Sequence, residues 1–204
     1  RQPGSAFKPL VYSAAIEQKA ITPATIFADS PMVFLDEQGD TWMPQNYSGG
    51  YRGYISIRKA LAYSANTVSI AVAREAGLSN LLPIIAQELH VPEKAIPYNF
   101  SVALGSYEVS PLQMARAFSV FPRGGKDLKP YFIEKVVNET GETIRSYEPK
   151  QSIFEKQVIK LGTATLMQDL LQGVIDTGTA RGIRNMGFSQ YGGGKTGTTD
   201  NYRD

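Results

Sequence analysis

Three short segments of the chain carry residue types that together could catalyse acyl transfer. They are Ser5-Ala6-Phe7-Lys8, Ser64-Ala65-Asn66 and Lys195-Thr196-Gly197-Thr198. A serine hydroxyl is a weak nucleophile until a neighbouring base takes its proton. The chain has no cysteine, and its single histidine, His90, lies where a helix is predicted to end. We therefore predict a serine nucleophile whose base is a lysine.

The first segment is predicted to open a helix that runs from Ser5 to about Lys19. Residues three apart share one face of a helix, so Ser5 and Lys8 are expected within hydrogen-bond reach of each other. The free N–H groups at the helix start favour the anion that develops at an attacked carbonyl. Lys8 must be neutral to act as a base, and burial together with a second ammonium, that of Lys195, would lower its pKa.

The second segment is predicted to lie at a break between two helices. One helix is capped by Ser56 and runs to about Tyr63, and the next resumes at Val68. At this break Ser64 could relay a proton between Lys8 and a leaving nitrogen, while Asn66 could hold a substrate amide.

The third segment is predicted to be a strand edge, which a glycine-rich stretch from Gly178 to Gly194 precedes. Gly197 permits close backbone approach, and the ammonium of Lys195 with the neighbouring hydroxyls would bind a carboxylate. The N–H of Thr198 could complete an oxyanion hole with that of Ser5.

Composition limits the classes of protein to which the chain can belong. Its 204 residues suit one domain, or one domain with a subdomain. The formal net charge of +2 is small and the basic residues are scattered, so no nucleic-acid partner is predicted. With no cysteine and one histidine, neither a metal site nor a cofactor is predicted. No apolar run approaches the ~18 residues of a membrane span, and no signal peptide is recognisable.

Local patterns predict the elements between the three segments. From Ile21 to Tyr54 we expect a long ordered excursion with short strands at most. The other predicted elements are a helix from Ser79 to Leu89, a helix capped by Ser110-Pro111-Leu112-Gln113, a hairpin of Tyr131–Val137 with Glu142–Tyr147, and a helix from about Glu155 to Ile175.

Longer stretches around the three segments resemble the transpeptidase domain of class A (bifunctional) penicillin-binding proteins. The resemblance spans essentially the whole chain. It lies in residues 1–9, 46–53, 57–66, 103–111, 178–181 and 194–200, among them Arg1-Gln2-Pro3-Gly4-Ser5, Asn46-Tyr47-Ser48-Gly49-Gly50 and Gly194-Lys195-Thr196-Gly197-Thr198-Thr199-Asp200.

The resemblance implies a role for each residue of the three segments. Ser5 would be the acylated nucleophile and Lys8 its base, with Ser64 and Asn66 along the groove. The carboxylate of a D-Ala-D-Ala stem peptide would lie against Lys195 and the Thr196-Gly197-Thr198 segment. The reaction would release D-alanine and transfer the acyl group to an amine of a neighbouring strand, which cross-links peptidoglycan. β-Lactams would acylate Ser5.

The resemblance also implies an α+β fold of the penicillin-binding protein and serine β-lactamase type. Residues 1–204 would form a partial transpeptidase domain, from the active-serine helix to just after the Lys-Thr-Gly strand. We therefore expect mostly the helical subdomain, with an incomplete antiparallel sheet, as an excerpt of a longer protein. That parent would be anchored at the outer face of the bacterial cytoplasmic membrane, beside other cell-wall synthesis proteins.

Three alternatives remain open from the sequence. A serine β-lactamase would share Ser5 and Lys8 but needs a glutamate-bearing loop to activate water, and no such loop is recognisable. A penicillin-sensing domain would be acylated without turnover. An inert interaction module would keep the motifs without activity. Release of D-alanine from a peptide donor distinguishes a transpeptidase from a penicillin-sensing domain, which would not show it.

Overall fold

One buried helix, α1, runs through the centre of the molecule. The computed structural model describes residues 1–35, 41–146 and 156–198 of the chain. In it a 3-10 turn, Gly4–Phe7, leads directly into α1 (Lys8–Glu17), whose residues are buried from Lys8 to Ile16. Pro9 lies in the first turn of α1, where its missing N–H costs no helical hydrogen bond. The predicted helix is therefore confirmed, with a tighter first turn.

The other helices pack on α1 or on one another. They are α2 (Ile57–Ala62), α3 (Asn66–Ala76), α4 (Leu78–Leu89), α5 (Pro111–Ser119), α6 (Leu161–Asp176) and α7 (Gly182–Asn185). Helices α3, α4 and α6 contact α1 directly, which explains why α1 has no exposed face over most of its length.

Two predicted helix starts are confirmed by their side-chain caps. The Ser56 hydroxyl accepts a hydrogen bond from the Lys59 N–H at the start of α2. At α5, Ser110 and Gln113 form the reciprocal capping box, with Pro111 at the first helical position. These local signals fix where both helices begin.

The strands in the described residues are short and form antiparallel pairs. They are β1 (Ile26–Asp29) with β4 (Gly53–Ser56), β2 (Phe34–Leu35) with β3 (Thr41–Trp42), and β5 (Lys135–Val137) with β6 (Thr143–Ser146). The first pair aligns Ile26 with Ser56 and Asp29 with Gly53. The excursion with short strands and the later hairpin are thus confirmed where described. The hairpin is shorter than predicted, and its expected last residue, Tyr147, lies outside the described residues.

The predicted start of the helix from Glu155 to Ile175 is wrong. Helix α6 begins at Leu161, because the preceding residues pair with another segment. The N–H groups of Val158 and Ile159 both donate to the Gly125 carbonyl, at 2.8 and 3.2 Å, and Gln157 forms a bridge with Lys126. Glu155 lies outside the described residues.

The predicted strand entering Lys195 is also wrong. Between residues 191 and 198 the described backbone forms no strand ladder. A strand needs a hydrogen-bonded neighbour, whereas this segment packs on helices: the Gly194 N–H donates to the Leu171 carbonyl of α6 at 3.2 Å. The molecule is α+β, with small sheets at its edges.

Over the described residues, no single helix combines the length and apolar composition needed to cross a membrane. Helices α3 and α4 satisfy that test only as a pair, across a bend of 107°.

Candidate active site

A cleft of about 860 Å³ brings together residues from all three sequence segments. Its two walls are formed by the excursion before α2 and by the chain that follows α6. The lining residues are Ser5, Asp29, Gln45, Asn46, Tyr47, Ser48, Arg52, Tyr63, Ser64, Ala65, Asn66, Thr177, Gly178, Thr179, Arg181, Thr196 and Thr198.

The buried Lys8 amine is held next to this cleft by two of its lining residues, Ser64 and Asn66. Its Nζ donates to the Ser64 carbonyl at 2.7 Å, to Ser64 Oγ at 3.2 Å and to Asn66 Oδ1 at 2.6 Å. Ser64 lies between α2 and α3 with φ 59°, a left-handed conformation that non-glycine residues rarely adopt. The break predicted between the two helices therefore turns Ser64 and Asn66 toward one amine.

A second amine, that of Lys195, reaches the same serine. Lys195 Nζ donates to Ser64 Oγ at 2.9 Å and to the Thr196 carbonyl at 3.0 Å. Ser64 Oγ thus lies between two lysine amines that are 187 positions apart in sequence. A hydroxyl both donates and accepts hydrogen bonds, so Ser64 can exchange a proton with either amine.

The environment of the two amines favours their neutral forms. Burial, and then the charge of Lys195, lowers the pKa of Lys8 well below its ordinary value. Burial alone lowers the pKa of Lys195 to about 8. Desolvation and a like charge both disfavour the ammonium. Lys8 therefore loses its proton more readily than an ordinary lysine, as a base must, while Lys195, with a pKa of about 8, keeps most of its charge at neutral pH.

Ser5 lines the cleft from the 3-10 turn that precedes α1. No hydrogen bond between Ser5 Oγ and Lys8 Nζ occurs in the part of the chain that the structure describes. The three acceptors on Ser64 and Asn66 occupy the Lys8 amine instead. The hydrogen bond expected from the three-residue spacing is thus not formed in this state, although both groups lie in the same turn and a half of helix.

The Lys195–Thr198 segment passes directly over the turn that carries Ser5. Gly4 has φ 53°, and a Cβ there would lie 2.2 Å from the Thr198 carbonyl oxygen. Thr196 and Thr198 line the cleft. Gly197 packs below them, where a Cβ would lie 3.0 Å from the Pro3 carbonyl oxygen. All of the predicted site residues are therefore brought to one region of the molecule.

No local sequence pattern identifies the residues that orient Asn66. The Asn66 amide nitrogen donates to the Gln45 carbonyl at 2.6 Å, and its backbone N–H donates to Asn46 Oδ1 at 2.7 Å. These two contacts leave Asn66 Oδ1 directed at Lys8. The excursion before α2 thereby positions a group at the centre of the cleft.

A buried carboxylate, Asp29, anchors that excursion. Its oxygens accept hydrogen bonds from Asn46 Nδ2 at 2.7 Å, Thr67 Oγ1 at 2.5 Å and the Arg52 N–H at 2.9 Å. Asp29 is 1 % exposed. A buried charge needs such donors. Asn46 lay in a segment singled out by the resemblance, but no local pattern marks Asp29 as its partner.

Thr179 extends the cleft beyond the Lys-Thr-Gly segment. Its Oγ1 lies 2.7 Å from Thr196 Oγ1, and its N–H donates to the Ala62 carbonyl at 3.0 Å. A Cβ on Gly178 would lie 2.2 Å from that same carbonyl oxygen. The Gly178–Thr179 backbone therefore joins the end of α2 to the third segment.

Solved structures share this arrangement of elements. Penicillin-binding protein 1A from Haemophilus influenzae superposes with a TM-score of 0.88 at 28% identity, over 98% of this chain and 34% of that one. The D,D-transpeptidase domain of a peptidoglycan glycosyltransferase from Eggerthella lenta gives a TM-score of 0.78 at 23% identity, over 100% and 55% of the two chains. The fold is that of the penicillin-binding protein transpeptidases.

Sequence comparison places the chain within one family. The penicillin binding protein transpeptidase domain matches residues 1–88 and 91–204, so the chain belongs to that family. It is 38% identical to penicillin-binding protein 1A of Neisseria lactamica over 207 aligned residues, and 35% identical to that of Aquifex aeolicus over 204. Each match covers 100% of this chain. The chain spans about a quarter of the length of these relatives, 26% and 27%.

Proposed function

We propose that the chain is the catalytic part of a peptidoglycan D,D-transpeptidase, with Ser5 as its nucleophile. The observation that carries the proposal is the placement of Ser64 Oγ between the amines of Lys8 and Lys195, in the cleft that Ser5 lines. That arrangement supplies a base, a proton relay and a cation to one reaction centre. Membership of the transpeptidase family supports the same assignment.

Acylation begins when neutral Lys8 accepts the proton of Ser5 Oγ. The oxygen attacks the carbonyl of the penultimate D-alanine, and the N–H groups of Ser5 and Thr198 bind the oxyanion. Lys195, with the hydroxyls of Thr196 and Thr198, binds the terminal carboxylate. The carbon–nitrogen bond then breaks. Ser64 passes a proton from Lys8 to the leaving nitrogen, so D-alanine departs as the free amino acid and an ester remains on Ser5.

Transfer to an acceptor runs through the same groups in reverse. An amine from a neighbouring peptide attacks the ester carbonyl and gives up a proton, through Ser64, to Lys8. The ester carbon–oxygen bond breaks, a new amide forms, and Ser5 Oγ regains its proton. Asn66, whose amide nitrogen donates to Gln45 and whose backbone N–H donates to Asn46, would hold the amide of the donor strand.

The described lining of the cleft offers no carboxylate that could activate water, which favours transfer of the acyl group over its hydrolysis. Among the described residues that line it, Asp29 alone carries a carboxylate, and its two oxygens already accept three hydrogen bonds. No described lining residue can therefore act as the water-activating glutamate of a class A β-lactamase. We expect a penicillin-derived ester on Ser5 to be long-lived.

The same proposal extends to the setting of the protein. Residues 1–204 would be a partial transpeptidase domain of a longer protein that acts at the outer face of the bacterial cytoplasmic membrane. Its substrates would be peptidoglycan stem peptides, its covalent inhibitors β-lactams, and its partners other proteins of cell-wall synthesis.

The pKa of Lys195 predicts a pH dependence specific to substrates with a carboxylate. Since the protonated amine attracts the carboxylate and its pKa is lowered to about 8, the attraction disappears as the pH rises through that value. We expect the acylation rate of benzylpenicillin, divided by that of its methyl ester, to fall about tenfold from pH 7 to pH 9. Taking the ratio cancels the ionisation of Lys8. A ratio independent of pH would show that Lys195 does not bind the carboxylate.

The proposed activity is tested by product analysis. The purified protein is incubated with a peptide that ends in D-Ala-D-Ala and with an amine acceptor, and D-alanine and the new amide are measured. A transpeptidase yields both products. Acylation by penicillin without D-alanine release would identify a sensor instead, and rapid penicillin hydrolysis would identify a β-lactamase.

A further inference from the structure

We propose that Arg52 and Arg181 form a second carboxylate-binding site in the cleft, for an acidic group that precedes D-Ala-D-Ala in the donor peptide. The inference rests on the proposed function and names a feature of its substrate. Both arginines line the cleft that contains Ser5 and Ser64. Neither arginine belongs to the Lys195–Thr198 segment, to which the terminal carboxylate is assigned.

Arg52 is held in place from two sides. Its backbone N–H donates to Asp29 at 2.9 Å. Its guanidinium carbon lies 4.2 Å from the centroid of the Tyr63 ring. Stacking on an aromatic face leaves the N–H edges of a guanidinium available for a planar anion. Arg52 is therefore preorganised to bind a carboxylate without losing further side-chain freedom.

Arg181 is carried by a turn whose backbone is hydrogen-bonded to the end of α2. Its N–H donates to the Gly178 carbonyl at 3.2 Å, and the adjoining Thr179 N–H donates to Ala62 at 3.0 Å. Ala62 is the last residue of α2 and directly precedes Tyr63. The turn that carries Arg181 is thus attached next to Tyr63, on whose ring Arg52 stacks, and both arginines line the same cleft.

Several other arginines of the chain form ion pairs with aspartates, whereas Arg52 and Arg181 do not within the described residues. Arg58, Arg116 and Arg184 form ion pairs with aspartates 169, 127 and 176. Within residues 1–35, 41–146 and 156–198, neither Arg52 nor Arg181 has such an ion pair. Asp29, the carboxylate in the described cleft lining, already accepts three hydrogen bonds and forms no ion pair with either arginine. The cleft consequently carries excess positive charge, which attracts anionic ligands.

The ligand chemistry follows from the shape of a guanidinium and the size of the cleft. A guanidinium fork matches a carboxylate through two parallel hydrogen bonds. A cleft of about 860 Å³ is at the upper end of the roughly 300–1,000 Å³ of small-molecule sites, so it can hold residues that precede the terminal dipeptide. The class of donor that fits is a peptide with a free carboxylate upstream of D-Ala-D-Ala.

The test compares two synthetic donors that end in D-Ala-D-Ala and differ only by glutamate or glutamine at the preceding positions. The ratio of their kcat/KM values for D-alanine release is measured. We expect the wild-type protein to favour the acidic donor by about tenfold or more, through KM, and the Arg52→Ala/Arg181→Ala variant to have a ratio near one. Arg181→Lys, which keeps the charge but not the fork, should give an intermediate ratio. Arg74→Ala, on the exposed side of α3, is the matched control and should keep the wild-type ratio.

Each other outcome has a definite meaning. An equal loss for both donors in the double variant would assign the arginines a structural role and overturn the inference. A wild-type ratio near one would also overturn it, while leaving the proposed function intact. If the wild-type protein released D-alanine from neither donor, the proposed function would fail, and the inference with it.

Discussion

Replacing Lys8 by arginine is expected to abolish acylation of Ser5, although the positive charge is kept. A guanidinium does not lose its proton in proteins, so it cannot accept the proton of Ser5 Oγ. The lost general-base catalysis should lower the acylation rate by about a thousandfold or more. The measurement is the rate of covalent labelling by a fluorescent penicillin, with Lys59→Arg on the exposed face of α2 as the control.

Lys8 is fully buried, and the larger arginine side chain could disturb the fold. A second variant, Lys8→Met, removes the base without adding volume and should lose acylation to the same extent. Thermal unfolding separates loss of the base from loss of structure in both variants. Labelling at near wild-type rate in either folded variant would rule Lys8 out as the base.

The second large effect is expected from Gly4→Ala. A Cβ at this position would lie 2.2 Å from the Thr198 carbonyl oxygen, a distance that no relaxed side chain tolerates. The Lys195–Thr198 segment must therefore move away from the turn that carries Ser5. Because a displacement of about 1 Å at a reacting centre can cost about a hundredfold in rate, we expect at least that loss in penicillin acylation.

A matched control separates this clash from backbone strain. Gly141 also has a positive φ, 83°, but a Cβ there would meet nothing within 4 Å. Gly141→Ala should therefore carry a similar conformational penalty in the β5–β6 hairpin and keep wild-type acylation. If Gly4→Ala acylated as fast as Gly141→Ala, the contact between Gly4 and Thr198 would have no role in the site.

The parts of the structure that local sequence predicts are those with local causes. The capping box of Ser110 and Gln113 and the Ser56 cap satisfy N–H groups within a few residues of themselves. The break at Ser64 follows from the change of helical pattern on either side of it. For these elements, the residues that determine the structure lie within a few positions of one another in the sequence.

The errors arise where the partner is distant in sequence. Residues 157–159 are predicted to lie in the first turns of a helix. Their conformation is instead determined by hydrogen bonds to Gly125 and by the bridge between Gln157 and Lys126. A strand is predicted to enter Lys195, yet a ladder requires a hydrogen-bonded neighbour, and none pairs with residues 191–198 among the described residues. In both cases tertiary contacts override local preference.

In the candidate site, too, the sequence indicates some features, and others appear only in the structure. The residue types of the three segments, with the family resemblance, indicate the chemistry, but the meeting of Lys195 with Ser64 across 131 positions is visible only in the structure. The hydrogen bonds that join Asn66 to Gln45 and Asn46, and Asn46 to Asp29, follow from no local sequence pattern. Such networks depend on side-chain geometry that only the folded chain defines.

The central claim is that Ser5 is the acylated nucleophile, and intact-mass spectrometry after incubation with benzylpenicillin tests it most directly. The wild-type protein should gain the mass of one penicillin, peptide mapping should place the adduct on Ser5, and Ser5→Ala should gain nothing. An adduct that persists in the folded Ser5→Ala variant, or one that maps to Ser64, would contradict the account. A folded wild-type protein that forms no adduct would contradict it as well.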